Sequence, residues 1–262
     1  MVDLTDEEKE LALSEAMVKK HAVLEDQRRK RLAALKAQDI RRPWSPNELY
    51  EYARGRATQM LRLESGDPSI VFDPRDFQKD VITALCLYFT NHPEFEKLDN
   101  TKYNSTGLTF SLNKGIWLWG NPGVGKTLMM HMFNRNKRIC YQVVQCPKIV
   151  FGYIKQGDDH IRQYGQIIPD TEDALSFYQK SKGVCYNDLG VETIPAKHYG
   201  TAINVIESIF LETYENKVPF WHRHVTTNLT FDQIKAAYGV RFVDRVKQSF
   251  NIIEVNGESQ RK

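Results

Sequence analysis

The sequence predicts an α/β fold preceded by a small helical module. Three observations predict it. Residues 115–133 read as a short apolar strand, a glycine-rich loop and a helix, in that order. Residues 183–188 read as a second buried strand that ends in a carboxylate. Residues 1–66 read as helices with segregated charge and little apolar content of their own.

Composition bounds the function classes. The chain has 262 residues, enough for one large domain or one domain with an extension. No apolar run is long enough to span a membrane. The first residues, Met1 to Glu8, are acidic and polar, which excludes a signal-peptide reading and points to the cytoplasm. Cys86, Cys140, Cys146 and Cys185 form no C-x-x-C pair, so they read as reduced, mostly buried thiols. The net charge of +3 says little about a nucleic-acid partner; the distribution says more.

The chain opens with a capping box, Thr5-Asp6-Glu7-Glu8, and a helical reading to about Gln38. Residues 3–15 are acidic and residues 19–42 are basic, which suits the helix dipole. Two readings stay open, a solvated helix or an arm that binds a partner or nucleic acid. Arg42-Pro43-Trp44 breaks the helix. Ser45-Pro46-Asn47-Glu48 starts another, which ends near Gly66. The expected division is therefore a helical extension over residues 1–66 and a main domain over 67–262. The extension is expected to dock on a partner or on the main domain.

A third helix follows Asp73-Pro74-Arg75-Asp76. Its nearly all-round apolar surface predicts burial against the sheet. Residues 91–106 read as a polar loop.

The loop after the first strand is Gly120-Asn121-Pro122-Gly123-Val124-Gly125-Lys126-Thr127, which fits G-x-x-x-x-G-K-[ST]. Glycines let the backbone turn tightly and bring its N–H groups against phosphate oxygens. Lys126 offers a point charge to the β- and γ-phosphates, and Thr127 offers a hydroxyl to Mg²⁺. The helix that begins here, with Leu128 in its first turn, adds the positive end of its dipole. The strand before and the helix after are the context the motif requires.

Residues 139–144 read as a strand, and Pro147 opens a helix that Gly157 can end. Lys148, Lys155, His160, Arg162 and Tyr164 interleave charge with aromatic rings. They fit either single-stranded nucleic acid or an ordinary solvated face. In the strand 183–188, Asp188 stands where a carboxylate beside the loop would reach Mg²⁺ and the attacking water. Residues 201–216 read as a helix and residues 222–228 as a strand tipped by Asn228. Asn228 is either a turn residue or a γ-phosphate contact. The histidines flanking Arg223 read as packing or surface groups. Thr230-Phe231-Asp232-Gln233 is a further capping box that opens a helix closed by Gly239. Arg241 and Arg245 then share one helix face and are either plain surface or arginine fingers for a neighbouring subunit. Residues 250–255 are a last strand and residues 257–262 a polar tail.

Several of these stretches together resemble one family. Asn187-Asp188-Leu189-Gly190-Val191-Glu192 resembles the D-[DE]-L-G-x-E signature of DnaC/DnaI-type helicase loaders and IstB-type transposition helpers. Thr226-Thr227-Asn228-Leu229 resembles their [TS]-[TS]-N-L strand tip. Residues 238–246 resemble their Y-G-x-R-x-x-D-R-[LMV] segment. With the phosphate loop, four motifs agree in order and spacing from about residue 107 to 262.

The resemblance implies an AAA+ core, a parallel five-stranded sheet between helices with ATP bound between subunits of a homo-oligomer and no C-terminal helical lid. By the family's roles, Gly120 to Leu128 bind phosphate. Thr127, Asn187 and Asp188 stand at Mg²⁺. Asp188 activates water, Asn228 senses the γ-phosphate, and Arg245, with Arg241 nearby, acts in trans. One departure stands out, because the family usually has Asp where this chain has Asn187. An amide accepts a hydrogen bond but brings no negative charge, so the change bears on metal affinity and turnover. The implied function is an ATPase that binds single-stranded DNA and loads or remodels a replicative helicase through residues 1–66. A transposition helper on duplex DNA and a non-hydrolysing, nucleotide-gated clamp are the alternatives.

Overall fold

The structure is a computed structural model that describes residues 23, 25–27, 29–30, 42–165 and 183–259. The capping box at Thr5 and most of the first helical reading lie outside the described residues. The chain forms two compact units, Met1–Pro43 and Trp44–Lys262. In the first unit residues 23, 25–27 and 29–30 are helical, and Asp26 pairs with Arg29 at 3.2 Å and Lys30 at 2.7 Å on exposed turns.

The second unit is built on a five-stranded sheet, all parallel. Its strands are β1 (Gly115–Trp119), β2 (Tyr141–Gln145), β3 (Gly183–Leu189), β6 (Arg223–Thr227) and β7 (Phe250–Glu254), in the order β2-β3-β6-β1-β7. The five-stranded parallel sheet between helices implied by the resemblance is therefore present. Alternate residues of a strand face opposite sides, and both sides are covered here. Ile116 and Leu118 of β1 join one core, and Trp117 between them joins the other. Cys185 and Tyr186 of β3 divide the same way, as do Ile253 and Ile252 of β7. All four cysteines are free and buried.

One core lies under α1 (Pro46–Ser65), α2 (Asp76–Phe89) and α3 (Lys126–Phe133). Helix α1 begins with the expected capping box, Glu48 N–H to Ser45 Oγ at 3.3 Å and Ser45 N–H to Glu48 Oε2 at 2.8 Å. It ends at Gly66, where a left-handed φ of 73° lets the amide reach the Arg62 carbonyl. Leu49, Ala53 and Ala57 are spaced one turn apart and fully buried, so small residues let α1 approach closely. The Arg56 guanidinium reaches across to the His131 carbonyl at 3.2 Å and Asn134 Oδ1 at 2.8 Å, at the end of α3. Burying Leu49 alone contributes roughly 2 kcal/mol. The compact unit thus begins at Trp44, one helix earlier than the expected division at residue 66.

The other core lies under α4 (Cys146–Gln156), α5 (Asp158–Gly165), α6 (Val205–Glu215), α7 (Phe231–Tyr238) and α8 (Val240–Ser249). The expected helix over 201–216 is shorter. Thr201–Ile203 is strand β5, paired antiparallel with β4 (Ala196–His198). Tyr199 and Gly200 join them with φ of 45° and 89°, the left-handed pair that suits a two-residue hairpin. Helix α6 starts only after Asn204, whose side chain accepts from Glu207 N–H.

His224 serves packing. It is fully buried, its Nδ1 accepts from Ile116 N–H at 3.1 Å, and its ring meets Tyr88, Phe89 and Tyr141. Among the described residues no helix follows β7, and none is long and apolar enough to cross a membrane.

Candidate nucleotide site

The loop between β1 and α3 is held as the sequence requires. Gly120, Gly123 and Gly125 have φ of 144°, 84° and 92°. A side chain on Gly120 would lie 2.4 Å from the Val255 carbonyl oxygen, so the loop and the segment after β7 are in backbone contact. That segment continues over the loop, because a Cβ on Gly123 would meet Ser259. From the other side Gln78, in the first turn of α2, donates from Nε2 to the Val124 carbonyl at 3.0 Å and accepts from Arg75 N–H at 3.0 Å. Val124 is fully buried, while Asn121 and Pro122 stand at the exposed rim. Leu128 packs against the first core.

Lys126 is almost buried, at 5% exposure. Its Nζ donates to the Gly120 carbonyl at 2.7 Å, the Asn121 carbonyl at 2.8 Å and Asn228 Oδ1 at 2.7 Å. The tip of β6 is thereby joined to the loop. Thr127 Oγ1 donates to Asn187 Oδ1 at 2.9 Å, which joins the tip of β3. Thr226 Oγ1 donates to the same oxygen at 2.8 Å and accepts from Asp188 N–H at 2.9 Å. Asn187 Nδ2 donates to Asp188 Oδ2 at 2.9 Å. Lys126, Thr127, Asn187, Asp188 and Asn228, which belong to three motifs, therefore form one connected cluster.

Asn187 is fully buried and uses both ends of its amide. Its oxygen takes two hydroxyl protons, and its nitrogen gives the hydrogen bond that a carboxylate there could not give. Asp188 lies in the left-handed region, φ 56°, where Asp is among the more tolerant residues. Glu192 accepts from Gly190 N–H at 2.8 Å through Oε2, and from the Tyr238 hydroxyl through Oε1. Both its oxygens are engaged, so it braces the turn.

Arg241 is exposed on α8, and Arg245 lies over the Tyr214 ring at 5.5 Å. Neither has a hydrogen bond or ion pair into the cluster among the described residues.

A cavity of about 750 Å³ lies away from the loop, at the edge strand β2. Lys148, Lys155, His160 and Tyr164 line it, with Arg135, His131 and the exposed Phe151, and its described lining contains no carboxylate. Burial holds His131 and His160 below the usual imidazole pKa, so the positive charge comes from Arg135, Lys148 and Lys155. Arg162 is not part of this lining and stands near Asp159 at 3.8 Å.

Three supports of the site are absent from the sequence reading: Gln78, the segment 255–259 and the Tyr238 hydroxyl. Gln78 carried a signal, a lone amide in an apolar helix three residues after the cap.

The set of oxygens suits a small hard cation. Thr127, Asn187 and Asp188 offer a hydroxyl, an amide oxygen and a carboxylate within one hydrogen-bonded group. Among the described residues no three His, Cys, Asp or Glu side chains cluster as a metal cage. Mg²⁺ needs no such cage, because it takes one or two protein carboxylates together with phosphate oxygens and water.

Strand order β2-β3-β6-β1-β7, a G-x-x-x-x-G-K-T loop after β1 and a carboxylate at the tip of β3 define a P-loop α/β core. No protein-family model matches the chain, and no curated protein matches it. Among solved structures it is similar to a crystal structure of DnaI, at 20% identity over 56% of this chain and 73% of that one, with a TM-score of 0.37. It is also similar to AMPPCP-bound DnaA from Aquifex aeolicus, at 12% identity over 73% and 49%, with a TM-score of 0.40. A DNA replication initiation factor matches at 10% identity over 63% and 45%, with a TM-score of 0.38. The chain thus spans about half the length of the last two.

Proposed function

We propose that the chain is an ATP-dependent DNA replication protein that hydrolyses ATP, binds single-stranded DNA and loads or remodels a replicative helicase. The observation that carries the reading is the cluster in which Lys126, Thr127, Asn187, Asp188 and Asn228 meet. Those residues belong to motifs that resemble the helicase-loader family, and adenine over guanine follows from that resemblance.

Each residue has a task in this reading. Backbone N–H groups of Asn121 and of residues 123–127 would face phosphate oxygens. Lys126, which donates to the Gly120 and Asn121 carbonyls and to Asn228 Oδ1, would exchange some of these neutral oxygens for charged phosphate, a stronger acceptor. Asn228, released in part from Lys126, is free to contact the γ-phosphate. Thr127, Asn187 and Asp188 would hold Mg²⁺, which would supply charge neutralisation between β- and γ-phosphates. Asp188 orients the attacking water. Arg245 and Arg241 reach the nucleotide of a neighbouring subunit in a homo-oligomer.

Single-stranded DNA is supported by the basic cavity at β2, where cations stand beside Phe151 and Tyr164 for charge and stacking. The helicase contact is assigned to the N-terminal extension. Its test is best made by deleting residues 1–43, because deletion through residue 66 would also remove α1 from the core. Loss of helicase binding with ATP binding retained is expected, and retained helicase binding would count against that role.

The test of the whole is steady-state ATP turnover with Mg²⁺, with and without single-stranded DNA, beside Lys126→Ala. Turnover that DNA changes and the variant lacks is expected. Nucleotide binding without turnover would favour the clamp reading, which the amide at Asn187 motivates, and a preference for duplex DNA would favour the transposition helper.

A further inference from the structure

We infer that Glu192 and Tyr238 are a positioning pair that sets the acidic tip of β3, with Asp188 and the turn that follows it, and the arginine-bearing helix α8 together. The inference rests on the nucleotide reading above. The two residues are 46 positions apart and belong to different motifs, and both are buried. The Tyr238 hydroxyl donates to Glu192 Oε1. Burial and the neighbouring Glu192 charge push the phenol pKa far up, so it stays a donor across the working pH range.

The turn needs holding. Asp188 has φ of 56°, a conformation that costs a side-chain-bearing residue something unless its surroundings fix it. Three side chains fix the turn. Thr226 Oγ1 accepts from Asp188 N–H at 2.9 Å, Thr227 Oγ1 donates to the Leu189 carbonyl at 2.8 Å, and Glu192 Oε2 accepts from Gly190 N–H at 2.8 Å. The first two anchors belong to β6. The third is a side chain of the turn itself, and its outside partner is Tyr238.

Tyr238 ends α7, and Gly239, with φ of 87°, links it directly to α8. The Tyr238 ring stacks on Phe242 of α8 at 4.8 Å, and Phe242 stacks in turn on Phe210 of α6 at 5.3 Å. Phe242 lies between Arg241 and Arg245 in sequence. One phenol therefore registers the start of α8 against the turn that carries Asp188. Neither Glu192 nor Tyr238 has a hydrogen bond to Lys126, Thr127, Asn187 or Asp188 side chains among the described residues, so both act through the backbone.

Tyr238→Phe keeps the ring and its stack and removes one hydroxyl. The test is amide hydrogen exchange on the full chain, read beside kcat and nucleotide Kd. Protection at residues 188–192 and 240–246 is expected to fall together, by about ten-fold. Turnover is expected to drop about ten-fold while Kd stays within about two-fold, the mark of a misplaced group rather than a lost binding contact. Glu192→Gln keeps an acceptor for Gly190 N–H and a polar partner for the phenol, and is expected to retain most of the protection. Unchanged protection at 188–192 in Tyr238→Phe would overturn the pair. So would unchanged kcat despite lost protection, or equal losses in Glu192→Gln and Tyr238→Phe. If the wild type bound nucleotide without turning it over, hydrolysis would fail on its own, because the exchange arm decides the pairing without it.

Discussion

The phosphate loop and the acidic turn stand at the tips of two strands that flank β6, yet they are held by different means. The loop is fixed chiefly by close backbone fit, with hydrogen bonds to its carbonyls from Gln78 and Lys126. Gly120 lies against the Val255 carbonyl, Gly125 against Gln78, and two loop carbonyls close on Lys126. The turn is fixed by side-chain hydrogen bonds from Thr226, Thr227 and Glu192. Damage to the loop should therefore act through sterics and be large. Damage to the turn should act through unpaired polar groups and be moderate.

The largest effect is expected at Gly120. Gly120→Ala puts a methyl 2.4 Å from a backbone oxygen at φ 144°, and the segment it meets is itself tied by Val255 N–H to the Trp119 carbonyl at 2.8 Å. A loss of about 3 kcal/mol or more in denaturant unfolding is expected. A loss below about 1 kcal/mol would mean the loop yields and the contrast with the turn is wrong.

Thr226→Val comes next. It keeps the shape and removes a buried donor to Asn187 and an acceptor for Asp188 N–H. About 2 kcal/mol of stability should be lost, with ATP affinity changed far less than by any loop variant. Equal damage to affinity would show that the turn and the loop are one unit.

Asn187→Asp sharpens the comparison. It removes the donor to Asp188 and sets two carboxylates side by side in a buried place. Without metal, a loss of about 1–2 kcal/mol is expected from thermal unfolding, and the deficit should shrink or reverse when Mg²⁺ is added. A variant indifferent to Mg²⁺ would argue against Asn187 as a metal-side residue.

The smallest effect is a pH slope from the middle of the sheet. Burial, then Arg138 and His222, holds the His224 pKa well below its ordinary 6.5. The sign follows. Above 6.5 both folded and unfolded chains carry a neutral imidazole, and there is no slope. Below 6.5 the unfolded chain binds the proton and the folded chain does not, so stability falls as the pH is lowered, by up to about 1.4 kcal/mol per unit. The neighbours facing the ring are Tyr88, Phe89 and Tyr141, which stay uncharged in that range. His224→Gln should flatten stability between about pH 5 and 6.5. An unchanged slope would assign it to the other buried histidines.

The same contrast explains what was legible in the sequence. Strand, loop and helix at 115–133 obey local rules, as do the capping boxes at Ser45 and Thr230, and all appear where expected. The motifs also placed Lys126, Thr127, Asn187, Asp188 and Asn228 as candidates, and they meet. What escaped depends on distant partners. Nothing local in Gln78 says that it will reach Val124, and nothing in Tyr238 says that it will meet Glu192. The hairpin at 196–203 was hidden because Ile203 and Val205 continue the apolar spacing of α6, although Tyr199-Gly200 carried a turn signal. Docking of α1 on the main domain was one of the two outcomes expected for the extension, and its mostly alanine buried face did not decide between them.

The most direct test of the central claim, that this cluster is a nucleotide site built around Lys126, is calorimetric titration of ATP with Mg²⁺ into the wild type and Lys126→Ala. Saturable binding by the wild type, weakened at least about a hundred-fold in the variant, is the expected result. Equal binding by both, or none by the folded wild type, would contradict it.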